Sequence, residues 1–155
     1  MHFLLLTPGT VKHPFFAEAQ KEYVSRIQKF CAFDIREISE EKLTKKTSDT
    51  VAKKREAEKM LSALPERSVC IALDERGKEF SALEFSRFLE NLLLSGKDVT
   101  FCMGGANGLE HSILQKAETT ISLGKMTLTQ DLARIVFLET LFRGFCIVKN
   151  LPFHR

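Results

Sequence analysis

Three glycines in Gly104-Gly105-Ala106-Asn107-Gly108 follow the apolar run 99–103. Glycine at a strand end lets backbone approach a ligand closely and tolerates positive φ. No Gly-Lys-Ser/Thr follows, which excludes a Walker phosphate loop, and the G-x-G-x-x-G dinucleotide spacing is missing too. A tight strand-to-helix turn accounts for the same residues. Glu139 and Arg143 stand at i and i+4. That spacing gives either an ordinary helix ion pair worth about 0.3–0.5 kcal/mol or an arginine oriented toward an anion. Arg134, five residues before Glu139, faces another direction on the same helix. His2, His13, His111 and His154 are scattered. Neither they nor Cys31, Cys70, Cys102 and Cys146 have zinc spacing, so no metal is expected. No Ser-His-Asp arrangement is visible, and Ser112 beside His111 is coincidence.

The elements that must position these groups alternate between strand and helix. Residues 2–6 form a short apolar strand closed by Thr7-Pro8-Gly9. Pro14 opens an amphipathic helix with Phe16, Ala19, Tyr23, Ile27 and Phe30 at steps of three and four. Residues 33–38 read as a half-buried strand and 39–50 as a polar loop. A more polar helix over 49–64 is stopped by Pro65. Residues 69–73 are a strand that ends in the loop Asp74-Glu75-Arg76-Gly77. Ser81 and Glu84 make a capping box for a helix whose inner face is Phe85, Phe88, Leu89, Leu92 and Leu93, closed by Gly96. Strand 99–103, a short helix to about 118 and strand 119–123 follow. The last helix, 131–142, has Leu132, Ile135, Val136 and Leu138 on its apolar side, and 145–148 reads as a final strand. This order predicts an α/β fold, with a parallel sheet flanked by helices. Ligands of such sheets sit outside the carboxyl ends of the strands. Three loops of unusual composition leave those ends: 74–77, 104–108 and 123–128.

With 155 residues, the chain suits a single domain over 1–155. Its 28% charged and 44% hydrophobic content exclude wholesale disorder. No apolar run approaches the roughly 20 residues of a membrane helix. The opening apolar stretch is too short, and has no basic flank, for a signal sequence. The cysteines read as small buried hydrophobes of a reducing, cytoplasmic protein. A net charge of +3 is too small to establish a nucleic-acid partner. The densest basic cluster, Lys42, Lys45, Lys46, Lys53, Lys54, Arg55 and Lys59, is interleaved with acids and reads as a solvated face.

Taken in order, Met103-Gly104-Gly105-x-x-Gly108-Leu109, Leu123-Gly124-Lys125-Met126-Thr127-Leu128, Arg134, Glu139-Thr140-Leu141-Phe142-Arg143-Gly144 and the ending Pro152-Phe153-His154-Arg155 resemble the RlmH family. These are SPOUT-superfamily methyltransferases of ribosomal RNA, and the resemblance spans the whole chain. It implies a SPOUT-type fold with a C-terminal trefoil knot and a homodimer. S-adenosylmethionine is the implied methyl donor. The implied substrate is a pseudouridine in a stem-loop of large-subunit ribosomal RNA, methylated at N3 on the assembled ribosome.

By the same resemblance the donor pocket uses Leu73, Gly104, Gly105, Leu123, Gly124, Lys125, Met126, Thr127 and Leu128. Leu123, Met126 and Leu128 would pack on the faces of the adenine. Of the catalytic group, His154 is the candidate base and Glu139 orients Arg143. Arg143, Arg155 and Arg134 hold phosphate or the anionic ring. Lys12 and the 42–59 cluster would contact RNA phosphates. The chain departs from the family pattern at Thr129-Gln130, where Pro-His is usual, and at Phe142, Leu151 and Phe153, where Tyr, His and Tyr are usual. Two other readings compete: an RNA- or ribosome-binding factor that has lost turnover, and an unrelated nucleotide-binding module holding phosphate at 104–108.

Overall fold

The protein is described here from a computed structural model covering residues 1–41 and 48–152. In chain order its elements are β1 (His2–Pro8), α1 (Pro14–Ile27), β2 (Ala32–Ile38), α2 (Asp49–Ala63), β3 (Val69–Glu79), α3 (Ala82–Ser95), β4 (Val99–Met103), α4 (His111–Lys116), β5 (Thr119–Ser122) and α5 (Gln130–Val148). The five strands pair in the order β2-β1-β4-β3-β5, every pair parallel. Alternation along the strands splits their side chains between two cores. Phe3, Leu5, Ile71 and Phe101 face the layer of α1, α3 and α5. Leu6, Cys70, Ala72 and Cys102 face α2 and α4. Both sheet faces are covered, as an all-parallel sheet requires.

Local signals set several boundaries as expected. Ser81 accepts a hydrogen bond from the Glu84 N–H while Glu84 reaches back to the Ser81 N–H, closing the capping box. Gly96 ends α3 in the left-handed conformation at φ 67°. All four cysteines are free, and Cys70, Cys102 and Cys146 are buried.

Three expectations are corrected. Residues 145–148 are the last turn of α5, not a strand. Their aromatic and β-branched composition favours a strand, but tertiary packing overrides it. Phe145 meets Phe3 edge-on and stacks on Phe30, and Gly144 sits flush against Phe85 and Leu89. The buried face of α5 is also only partly the one expected, with Leu138 alone of the four named residues fully buried. Arg134, Phe137, Leu138, Leu141, Phe145 and Cys146 point inward, while Leu132 is exposed and Ile135 and Val136 are half-buried. A helix that is apolar nearly all round carries no period to mark its inner face. Finally, 74–77 is an arch within β3, not a loop beyond it. Leu73 and Lys78 both pair with Ile121, so the residues between them bulge out and return. Asp74 clamps the arch by accepting hydrogen bonds from the Arg76 side chain at 2.7 and 2.9 Å and from its N–H at 3.0 Å.

Where the arch rejoins the sheet, the backbones of Gly77 and β5 touch. A Cβ at Gly77 would lie 2.6 Å from the Ile121 carbonyl carbon and 2.7 Å from the Thr120 one. Backbone cannot yield as a side-chain tip can, so Gly77→Ala is expected to cost about 2–3 kcal/mol. Urea unfolding should show a lowered midpoint at unchanged slope.

Candidate functional site

In a parallel sheet every carboxyl end lies along one edge. Leu73 pairs with Met103 and Ile121, which places Leu73, Gly104 and Leu123 side by side there. The chain leaves β1 toward β2 on one side and leaves β4 toward β5 on the other. The crevice between β1 and β4 is therefore a topological switch point, where such sheets take ligands. Pro8 and Gly105 meet in it.

The loop 123–129 must cross this edge. It leaves β5, yet α5 begins beside β1, three strands away. Gln130 donates a side-chain hydrogen bond to the Pro8 carbonyl, and Asp131 accepts the Lys12 N–H at 3.0 Å. Three inter-strand steps span roughly 14 Å. The loop thus passes over the ends of β3 and β4, so that Leu73, Gly104 and 123–128 share one edge.

The glycines of the site divide into two kinds. A side chain on Gly104 would overlap the Gly108 carbonyl carbon and lie 2.7 Å from the Leu109 nitrogen. One on Gly105 would meet Pro8 and Glu56 at 3.1 and 3.2 Å. Gly104 is demanded by the chain's own backbone contact, as the turn reading held, and Gly105 is crowded only by side chains. Gly124 differs: its φ is 137°, and nothing lies within 4 Å of where a Cβ would be. It lines a cavity of about 170 Å³ with Leu123, Ser122, Ile121, Phe80 and Thr140, among others. The Ser122 hydroxyl braces Gly124 by donating to its carbonyl at 3.0 Å and accepting its N–H at 3.1 Å. Lys125, Met126 and Thr127 are exposed, Met126 to 82%, and Leu128 is half-buried. The edge therefore offers open backbone amides and carbonyls between apolar side chains. That set suits a heterocycle with hydrogen-bonding edges and apolar faces. The cavity has room for part of a nucleoside-sized ligand, and the exposed loop 125–127 lies beside it.

Glu139 and Arg143 form the expected pair, with Arg143 Nε and Nη2 donating to one Glu139 oxygen at 2.9 and 2.5 Å. Both are half-buried, and the carboxylate raises the guanidinium further above its ordinary value. Arg134 is the clearest correction. It is fully buried and donates to Glu37 at 2.6 Å, to Gln20 at 3.1 Å and to the Gly9 carbonyl at 3.0 Å. Among the described residues its Nε has no hydrogen-bond partner. A guanidinium committed to the protein interior cannot also grip an RNA phosphate, so Arg134 is a tether. His154 and Arg155 lie outside the described residues, as do Lys42, Lys45 and Lys46 of the basic cluster. Within that cluster, Arg55 and Lys59 pair with Glu41 beside a shallow groove of about 490 Å³ that touches none of the strand-end loops. The solvated-face reading fits this arrangement. Among the described residues no group of three or more His, Cys, Asp or Glu is placed to hold a metal, and no helix is long and apolar enough to cross a membrane.

Sequence reasoning missed two groups. Gln130 and Asp131 anchor the β1–α1 loop, a role visible only once β1 and α5 are adjacent. Glu56, an unremarkable member of a polar helix, is buried against Gly105. Burial pushes its carboxyl above the ordinary value, with the Glu41 N–H it accepts at 3.0 Å partly opposing.

The match to known proteins covers the whole chain. The family model described as "Predicted SPOUT methyltransferase" matches residues 1–154. A ribosomal RNA large subunit methyltransferase H of Clostridium acetobutylicum is 35% identical over 159 residues, covering 100% of both chains. Proteins of the same name from Streptococcus uberis and Enterococcus faecalis are 35% and 34% identical, also over 100% of both chains. Among solved structures, a "probable methylase family protein" of Haemophilus influenzae Rd KW20 superposes with a TM-score of 0.57 at 11% identity. The overlap is 99% of this chain and 70% of that one. A Legionella pneumophila protein solved with bound SAM gives 0.50 at 11% identity, over 91% of this chain and 65% of its own. At these identities the structures attest the fold.

Two expected outcomes follow from the site's buried charges. Arg134→Met leaves Glu37 without its partner and frees the Gly9 carbonyl, for a loss of about 2–3 kcal/mol in chemical denaturation. The second concerns Glu56, whose protonated form is favoured by folding. Its effect on stability is therefore unfavourable and grows as pH rises from the ordinary carboxyl range, about 4.3, through the raised folded value. Glu56→Gln should flatten that part of a stability-against-pH curve and leave the protein at least as stable at neutral pH.

Proposed function

The chain belongs to the SPOUT methyltransferase family, in the group that holds the ribosomal RNA large subunit methyltransferases H, and on that premise we propose that it methylates N3 of a pseudouridine in a large-subunit ribosomal RNA stem-loop, using S-adenosylmethionine. The observation that carries this reading is the convergence of Leu73, Gly104 and the loop 123–128 at the switch-point edge, beside a cavity lined by Gly124. Leu73, Gly104, Gly105, Leu123, Gly124, Lys125, Met126, Thr127 and Leu128 would hold the donor. Leu123, Met126 and Leu128 offer apolar contact to the adenine, and the backbone of 125–128 offers hydrogen bonds to its edges. When bound, the donor supplies an electrophilic methyl on a positively charged sulfur, so the chemistry calls for no metal.

The protein's own work lies on the acceptor side. N3 of a uracil-type ring is a weakly acidic imide and must lose its proton to become a nucleophile. In this proposal His154 takes that proton. Arg143 and Arg155 hold the developing anion or a neighbouring phosphate, and Glu139 fixes the direction of Arg143 through the bridge described above. The unit that acts is a homodimer of single domains spanning 1–155, with the C-terminal knot of its family, working in the cytoplasm on the assembled ribosome. So small a chain has little surface for reading sequence and would read ribosome shape instead.

Gln130 bears on the rival reading of a binding factor without turnover. It replaces the usual His, but its amide anchors the Pro8 carbonyl and so has structural employment here. Methyl transfer from labelled donor to ribosomes lacking the modification, with naked ribosomal RNA alongside, tests the proposal. One methyl at a stem-loop pseudouridine, on ribosomes only, is the expected result. His154→Ala should retain donor binding and lose transfer by roughly 10²–10⁴-fold. Donor binding without any transfer by the unaltered protein would favour the binding factor, and near-normal turnover of His154→Ala would remove that residue from the role of base.

A further inference from the structure

The N-terminus of α1 carries a cluster of rings that the donor site does not use. His13 and Phe15 lie nearly parallel, 17° apart with centroids at 5.3 Å. Phe16 closes the group from the side, 4.5 Å from Phe15 and 6.2 Å from His13. The large apolar ring of Phe15 is 62% exposed, and His13 and Lys12 are exposed as well. A single exposed Phe is ordinary, but a stacked pair with an open face beside a lysine is a patterned surface.

Helix α1 gains nothing locally from this arrangement. His13 occupies its N-cap and makes no side-chain capping bond, where Ser, Thr, Asp or Asn would be worth about 1 kcal/mol. The β1–α1 loop before it is nevertheless rigidly placed. Its Lys12 N–H bonds to Asp131 at 3.0 Å, and Arg134 grips the Gly9 carbonyl at 3.0 Å. Asp131 lies three residues beyond Leu128, so the rings stand next to the loop proposed to hold the donor. The Lys12 ammonium is 64% exposed and meets Glu40 only at 3.4 Å, a surface pair that water and salt readily loosen.

We propose that His13 and Phe15, with Lys12 at their edge, form a stacking platform for an unpaired RNA base next to the nucleotide being methylated. The inference rests on the function proposed above and adds the group that positions the acceptor strand. An aromatic face and a neighbouring cation suit a base and its phosphate. Ring stacking is indifferent to base identity and so fits a protein with little surface for reading sequence. A second copy of this chain would instead bury Phe15 against protein.

The test uses the full-length protein and a short single-stranded oligoribonucleotide carrying 2-aminopurine, whose emission is quenched on stacking. The unaltered protein and Phe15→Trp should quench it, and Phe15→Ala should lose the quenching and bind about ten-fold more weakly. On ribosomes, Phe15→Ala should raise KM by a similar factor at nearly unchanged kcat and unchanged donor affinity. Absence of quenching by the unaltered protein, or equal quenching by Phe15→Ala, overturns the platform. So does a change of sedimentation mass in Phe15→Ala, which would assign the rings to a subunit contact. If the unaltered protein quenches the probe but transfers no methyl, the proposed function fails, and with it the placement of the platform beside a methylated nucleotide, leaving only a base-stacking surface. If transfer proceeds with the same KM in Phe15→Ala, the platform alone fails.

Discussion

A fully buried guanidinium joins four separate parts of the chain. Arg134, in the second turn of α5, binds Glu37 on β2, Gln20 on α1 and the Gly9 carbonyl just past β1. Placing an ion in a protein interior is costly unless its donors are met, so this contact is either made nearly in full or not at all. It thereby fixes where α5 starts. Because α5 starts beside β1 while β5 lies at the opposite edge, the connecting segment has one route, across the carboxyl ends of β3 and β4. The geometry of the candidate site is a consequence of that route.

The same constraint separates rigid from adaptable parts. Behind the edge, the chain is packed to backbone contact at Gly77 on β5 and Gly104 on Gly108, and the side chains of Pro8 and Glu56 close on Gly105. In front of it, Gly124 faces open space and Lys125 to Thr127 project outward. A tightly supported floor with an open rim holds a ligand by shape and leaves backbone groups free to pair with it. Charge is partitioned in parallel. Arg134 is consumed by the fold, whereas Arg143 stays half-buried on the outer part of α5 with Glu139 bracing it. The function proposed above assigns the anionic substrate to Arg143, and the inner arginine contributes by holding α5 in place.

Much of this was legible in the residues. The short apolar strands, the Ser81–Glu84 box, the Gly96 stop and the strand-end loops at 104–108 and 123–128 follow from local preferences that the sequence expresses directly, whereas the return of 74–77 into β3 depends on pairing with β5. The alternation of elements implies a parallel sheet, and in such a sheet strand ends must share an edge. The inner face of α5 was not legible, because its apolar residues are spread nearly all round the helix and one of the inward positions is the charged Arg134. Nor was its last turn, where aromatic and β-branched residues suggest a strand until Phe3, Phe30, Phe85 and Leu89 are seen to surround them.

The amino-acid sequence by itself determined most of the elements, the fold class and the family, since these rest on neighbours within a turn or on motifs that keep their order along the chain. Only the tertiary structure decided which charged groups are available for chemistry. Arg134 and Arg143 are alike in type and lie nine positions apart on one helix, yet one is sealed beneath β1 and β2 and the other meets solvent. Exposure depends on contacts between residues more than a hundred positions apart, such as Arg134 with Gly9 and Gln130 with Pro8. No local pattern carries that information, because burial is a property of the assembled surface and not of the residue.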